Sequence, residues 1–195
     1  MRKLIMWNLM TLDGYFEGAQ SWALDWHEYV WGDELERLSI DQLHTASALV
    51  FGRVTYEGMA GYWQTAKGEV ADFMNRLPKL VFSRTLEKAD WAHTTLVTDD
   101  AAGAIRKLKR EGEGNMFVFG SANLSAYLIE HGLFDEYRLG IAPVIIGCGK
   151  SLFGRDLARL RLKLIDARSL SSGCVILRYE PLKASEHGST KTKRN

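Results

Sequence analysis

Cysteine is scarce in this chain, with only Cys148 and Cys174 among 195 residues. That excludes the disulfide framework of a small secreted domain and predicts buried, small apolar roles for both thiols. An excess of one charge is also lacking. Lys and Arg number 25 against 24 Asp and Glu, so no global field recruits nucleic acid or a membrane surface. Long apolar runs are absent: no stretch would span a bilayer, and "MRKLIMWNLMTLDG" has neither the length nor the cleavage site of a signal peptide. There is no internal repeat and no long linker. The expectation is one cytoplasmic, enzyme-sized domain over residues 1–182, with no nucleic-acid or membrane partner. A disordered polar tail, "KASEHGSTKTKRN", follows over 183–195.

Several chemistries lack their signatures. "GEGNMF" precedes its strand and "GCGKSL" has no third glycine, so no Rossmann fingerprint is present. A P-loop ending in "GKS" needs glycine at position 144, which is Val144. No H-E-x-x-H or C-x-x-C spacing occurs, so no metal is expected. No G-x-S-x-G elbow occurs either.

What is there alternates strand with helix. "KLIMWNLM", "SALVFG", "KLVFS", "TTLVT", "NMFVFG" and "EYRLGIAPVII" read as apolar strands. "DELERLSIDQLHTA" reads as a helix with Asp33 as N-cap, and "DDAAGAIRKLKREGEG" and "SANLSAYLIEHG" read as two more. "TYEGMAGYW" and "EVADFMNRL" are helical or irregular. "LRLKLIDARSLSSGCVILRYEP" gives two strands around a Ser-Ser-Gly turn. The pattern predicts a three-layer α/β domain: a mainly parallel sheet of about eight strands with a C-terminal antiparallel hairpin. Ligands of such sheets bind where strand carboxyl ends meet helix N-termini.

Three junctions of that kind stand out. "VFGRVTYE" delivers Gly52, Arg53 and Thr55, "VFSRT" delivers Ser83 and Arg84, and "VFGSANLSAYL" delivers Gly120, Ser121, Ala122 and Asn123. Small residues let free helix N–H groups approach an anion, and arginine adds a planar fork suited to phosphate. Each alone reads as a turn with a solvated cation. All three at one sheet edge suit a nucleotide with a pyrophosphate and a further phosphate, as in NADPH.

"TLDGY", "GRVTYE", "VFSRT", "FVFGSANL" and "DEYRLGIAPVIIGCGKSLF" together resemble the dihydrofolate reductase superfold, over roughly residues 3–180. The branch is that of the C-terminal reductase domain of the bifunctional riboflavin-biosynthesis deaminase-reductase, in its small stand-alone form. The resemblance implies an NADPH-dependent, homodimeric reductase passing hydride to a pyrimidine- or pterin-like small molecule. Its activity would be of the 5-amino-6-(5-phosphoribosylamino)uracil reductase type. Dihydrofolate reduction, or NADPH binding without catalysis, are the alternatives. By the same resemblance Arg53 and Thr55 would hold the 2′-phosphate, with Gly52 and Val54 shaping the turn. Ser83 and Arg84 would flank the adenine-ribose. Gly120, Ser121, Ala122, Asn123 and Leu124 would underlie the pyrophosphate and nicotinamide-ribose, and Leu12, Asp13 and Gly14 would begin the loop over the nicotinamide.

Two groups of residues carry expectations on the substrate side. In dihydrofolate reductase an acid at the start of the helix before the "GR-T" strand anchors the pteridine; by that resemblance "WGDELERL" supplies Asp33, Glu34 and Glu36, of which Asp33 and Glu36 are the catalytic candidates and gapless register points to Glu36. Acids in a first turn also complement the helix dipole without any chemistry. Trp22, Trp26 and Trp31 would border the pocket, stacking on a flat substrate or closing a lid or dimer contact. "GAQSWALDW" does not reproduce the ribose-phosphate loop of the riboflavin reductases, and "GRVTYE" departs from their variant.

Overall fold

A computed structural model describes residues 1–154 and 157–182. The expected tail, 183–195, lies outside the described residues.

The apolar run of β1 (Leu4–Thr11) is buried on both faces, as a central parallel strand requires. A short β2 (Tyr15–Glu17) and a 3-10 turn over Asp25–Tyr29 lead to α1 (Asp33–His44). Then come β3 (Ala46–Gly52), α2 (Arg53–Trp63), α3 (Glu69–Arg76), β4 (Lys79–Phe82) and β5 (Thr94–Val97). α4 (Ala101–Arg110), β6 (Asn115–Phe119), α5 (Ala122–Glu130) and β7 (Glu136–Ala142) follow. β8 (Lys150–Ser151), β9 (Leu162–Ser169) and β10 (Val175–Pro181) complete the described chain.

Eight strands form one sheet in the order β5-β4-β3-β6-β1-β7-β10-β9, and β2 pairs with β8 in a separate two-stranded sheet. The first six strands of the large sheet run parallel, and β10 and β9 close it antiparallel. The sheet is the middle of three layers. Leu4, Met6, Val50 and Val118 meet Ile105 of α4 and Leu128 of α5 on one face. On the other, Ile5, Trp7 and Phe117 meet Leu35 of α1, while Leu49 and Phe51 meet Tyr56, Ala60 and Phe73 of α2 and α3.

Local chemistry sets the element ends. Asp100 caps α4, its Oδ1 accepting from Gly103 N at 2.8 Å. Gly132, at φ +60°, ends α5 while Leu133 N returns to Leu128 O at 3.0 Å. The Ser-Ser-Gly hairpin forms as expected, closed by Leu170 N to Cys174 O at 2.8 Å.

Some expectations need correction. Gly32, not Asp33, is the N-cap of α1, and no side chain caps that helix. The expected sixth strand stops at Ala142, because Pro143 has no N–H to continue the ladder. Cys174 is buried as expected, but Cys148 is exposed. Among the described residues no helix is long and apolar enough to cross a membrane.

Candidate functional site

Adjacent strands β3 and β6 send their helices to opposite faces of the sheet, so a crevice opens between the two junctions. Gly52 is the N-cap of α2. After β6 the chain turns through Gly120 and Ser121, both left-handed at φ +50° and +58°, before α5 begins. The two turns are stitched together. Gly52 N donates to Ser121 Oγ at 2.9 Å, and Ser121 N donates to Thr55 Oγ1 at 2.9 Å. Gly120 N donates to Asn8 Oδ1 of β1 at 2.6 Å. A Cβ at Gly120 would press on Thr55 at 3.2 Å, so both left-handed φ and close approach require glycine there. The outcome is two helix N-termini, α2 and α5, aimed at one space, each with first-turn N–H groups and the positive end of a dipole.

That space is a cleft of about 730 Å³ lined by Gly52–Thr55 and Gly120–Leu124. Arg53 stands at its rim, half exposed and paired with Glu57 at 2.9 Å. An exposed i,i+4 pair of this kind is weak and yields readily to a phosphate. A second hollow of about 440 Å³ holds Ser83, Arg84 and Tyr127 and shares Phe82 and Leu124 with the first.

The lining also contains groups that sequence reasoning missed. Glu17, nearly fully buried, pairs with Lys150 Nζ at 2.6 Å, and its other oxygen accepts from Trp22 N. Glu17 is the one carboxylate among the described residues lining the large cleft. His27 lines it too; burial pushes its imidazole down to about 4, against a smaller opposing pull from Asp25, so it is neutral at pH 7. Two buried carboxamides, Asn8 and Gln42, have fixed orientations. Asn8 Oδ1 is held by Gly120 N, and Gln42 Oε1 accepts from Arg138 at 2.9 Å. This leaves Asn8 Nδ2 and Gln42 Nε2 as buried donors without a partner among the described residues. A polar residue inside the apolar run "LIMWNLM" was the signal for Asn8; nothing local in sequence marks Glu17 and Lys150 as neighbours.

The other expected residues divide. Trp22 and Trp31 line the cleft, whereas Trp26 is buried in the core with Leu35 and Cys174. Asp33 and Glu36, on the first turn of α1, are outside the cleft lining. Leu12, Asp13 and Gly14 line neither hollow. Asp13 instead braces its loop, accepting from Thr11 Oγ1 at 2.6 Å, Gly147 N at 2.8 Å and Ile146 N at 3.2 Å. Those bonds, the Thr11 hydroxyl first, hold its carboxyl below the usual range.

The chain is similar to proteins with this same architecture. A Bacillus subtilis relative, the uncharacterized protein YyaP, is 31% identical over 185 residues, covering 91% of this chain and 94% of its own. A Shewanella sp. PV-4 structure provisionally assigned to riboflavin biosynthesis superposes with a TM-score of 0.76 at 19% identity, covering 93% of this chain and 99% of that one. Dihydrofolate reductase from Enterococcus faecalis, solved with NADP(H), gives 0.61 at 14% identity over 93% and 97% of the two chains. The "RibD C-terminal domain" family matches residues 2–176. With nearly the whole chain matched, and with a dihydrofolate reductase-like fold, the protein belongs to the RibD C-terminal domain family, the reductase domain of riboflavin biosynthesis.

Proposed function

We propose that the protein is an NADPH-dependent reductase of a pyrimidine- or pterin-like heterocycle, of the 5-amino-6-(5-phosphoribosylamino)uracil reductase type, acting in the cytoplasm as a homodimer. The observation that carries this reading is the stitched pair of junctions, Gly52–Thr55 with Gly120–Ser121, which turns two helix N-termini and Arg53 onto one cleft. NADPH, when bound, supplies the hydride. Arg53 would take the 2′-phosphate, exchanging Glu57 for it. The α5 N-terminus at Ala122–Leu124 would face the pyrophosphate, with Ser121 and Gly120 keeping side-chain bulk out of the way. Ser83 and Arg84 in the adjoining hollow would hold the adenine-ribose end.

The chain's part on the substrate side is to exclude water and enclose a flat ring. Trp22, Trp31, Met59 and Trp63 give that end apolar walls, and behind them the buried amide nitrogens of Asn8 and Gln42 have no partner among the described residues. The folate alternative asks for a first-helix acid facing the cleft. Asp33 and Glu36 are outside its lining, which favours the pyrimidine-type reading.

Calorimetric titration tests the cofactor. NADPH should bind more tightly than NADH, and Arg53→Ala should weaken NADPH alone by about one to two decades, the ~1.5–3 kcal/mol of a charge-assisted phosphate contact. Equal affinity for both nucleotides, or an unaffected Arg53→Ala, overturns the assignment. Loss of NADPH absorbance with a panel of pterins, dihydrofolate and ribosylaminopyrimidines tests the reaction. Binding without turnover of any member would leave the binding-only alternative standing in its place.

A further inference from the structure

Trp22 is held in a conformation that its own backbone disfavours. Its φ of +65° belongs to the left-handed region, rare for a bulky residue. Three separate features hold it there. The loop from Glu17 closes on itself, with Gly18 N donating to Ala23 O at 2.9 Å and Ala23 N to Gln20 O at 3.2 Å. The buried carboxylate of Glu17 accepts from Trp22 N while its second oxygen pairs with Lys150 across the β2–β8 ladder. The indole itself lies against Gly58 in the middle of α2, where any Cβ would overlap its ring.

The contact with Trp22 accounts for Gly58. It sits inside a helix, where glycine costs roughly 1 kcal/mol relative to alanine. Its φ is not positive, and the atoms nearest its missing Cβ belong to Trp22. Gly61, one turn later, has open space instead. Glycine at 58 is therefore a notch cut for one indole.

The place of that indole separates it from the phosphate end. The first turn of α2 carries Arg53 and Thr55, whereas Trp22 meets the helix further along, at Gly58, on the stretch whose Met59 and Trp63 also line the cleft. We propose that Trp22 is the stacking platform for the planar ring of the molecule being reduced, with Gly58 as its seat and Glu17 and Lys150 as its fixed support. The ligand class is a flat nitrogen heterocycle with carbonyl acceptors on its edge. This rests on the reductase reading of the cleft, but its test does not require turnover.

The probe is lumazine, a fluorescent planar dioxo-heterocycle, titrated into the protein with and without NADP⁺; pterin is the second probe. Wild type should bind and quench lumazine, as an indole stacked on the ring would. Trp22→Ala and Gly58→Ala should each weaken binding about fivefold or more, the scale of an aromatic stacking contact. Trp22→Phe should retain most of it, and Gly61→Ala should match wild type. In Gly58→Ala the helix gain of alanine opposes the cost of displacing the indole, so its binding is compared with wild type at a temperature where the melting curve shows both fully folded. NADPH affinity should be the same in all five proteins. The proposal is overturned if neither probe binds wild type, or if Trp22→Ala and Gly58→Ala leave lumazine binding unchanged. It is equally overturned if Gly58→Ala tightens binding, making Trp22 a plug, or if NADPH affinity falls in parallel, making the indole a cofactor contact. Failure of NADPH to bind wild type would remove the reductase reading, while the titration without NADP⁺ would still report on the platform.

Discussion

His27 is a side chain whose ionisation the fold resists. It lines the cleft, is mostly buried and is neutral at pH 7 because burial pushes it down to about 4 from 6.5. The depressed value fixes the sign of its linkage. The unfolded chain binds a proton at His27 as pH falls through 6.5, and the folded chain does so only near 4. Stability from this residue is therefore complete above pH 6.5 and lost progressively down to 4, up to about 3 kcal/mol in all. Denaturant unfolding at a series of pH values should show this slope in wild type, and His27→Gln should flatten the upper half of the window. An unchanged slope in the variant would mean that His27 is not the titrating group. Glu136 acts lower in pH. Burial raises its carboxyl, but hydrogen bonds from Arg138 at 2.7 Å and Arg178 at 2.8 Å outweigh that and hold it below the ordinary value. Its contribution is present above the unfolded carboxylate range and fades as pH drops below it.

Between β6 and α5 the two left-handed residues are a requirement of the junction rather than a local preference. Gly120→Ala would combine an unfavourable φ of +50° with a Cβ 3.2 Å from Thr55. The expected result is a loss of about 1–3 kcal/mol in urea unfolding, with weaker NADPH binding because the Thr55–Ser121 stitch is displaced. A variant as stable as wild type would show that this turn has slack. Much of this element-scale structure was legible in the sequence. Gly52, Gly120 and Ser121 each follow an apolar run and open a helical one, and that pattern is local. The paired β2 and β8 were not legible, being three and two residues long, too short to display a period. The Glu17–Lys150 pair was invisible for the same reason, since 133 positions separate residues that only the folded β2–β8 ladder brings together. Trp26 shows the opposite limit. Composition placed three tryptophans in one loop, but only the tertiary fold decides that the middle one points into the core while Trp22 and Trp31 line the cleft.

At the scale of the whole molecule, the outer hairpin leaves one edge of the large sheet open. β9 pairs with β10 on one side only, and all eight of its residues are exposed, including Leu162, Leu164 and Ile165. A long edge strand with exposed leucines is a ready template for another chain. The homodimer implied by the resemblance is expected to use it. Light scattering should give twice the 22.0 kDa chain mass for wild type and the single mass for the Leu162→Lys, Leu164→Lys double variant. A wild-type monomer would remove the dimer from the functional reading.

The position of β1 in the sheet also sets a timetable. Its two neighbours are β6 and β7, so during synthesis this strand finds no partner in the sheet until residues 115–142 have followed it. β3, β4 and β5 can meanwhile assemble with one another. The bond from Gly120 to Asn8 then joins chain segments made 112 residues apart, and the floor of the cleft appears only with it. Throughout that interval "LIMWNLM" is an apolar strand with both edges open, the kind of segment that chaperones shield and that aggregates when synthesis outruns pairing. The cleft is therefore absent from any nascent chain that stops short of Gly120, even though its Gly52–Thr55 side has already been made.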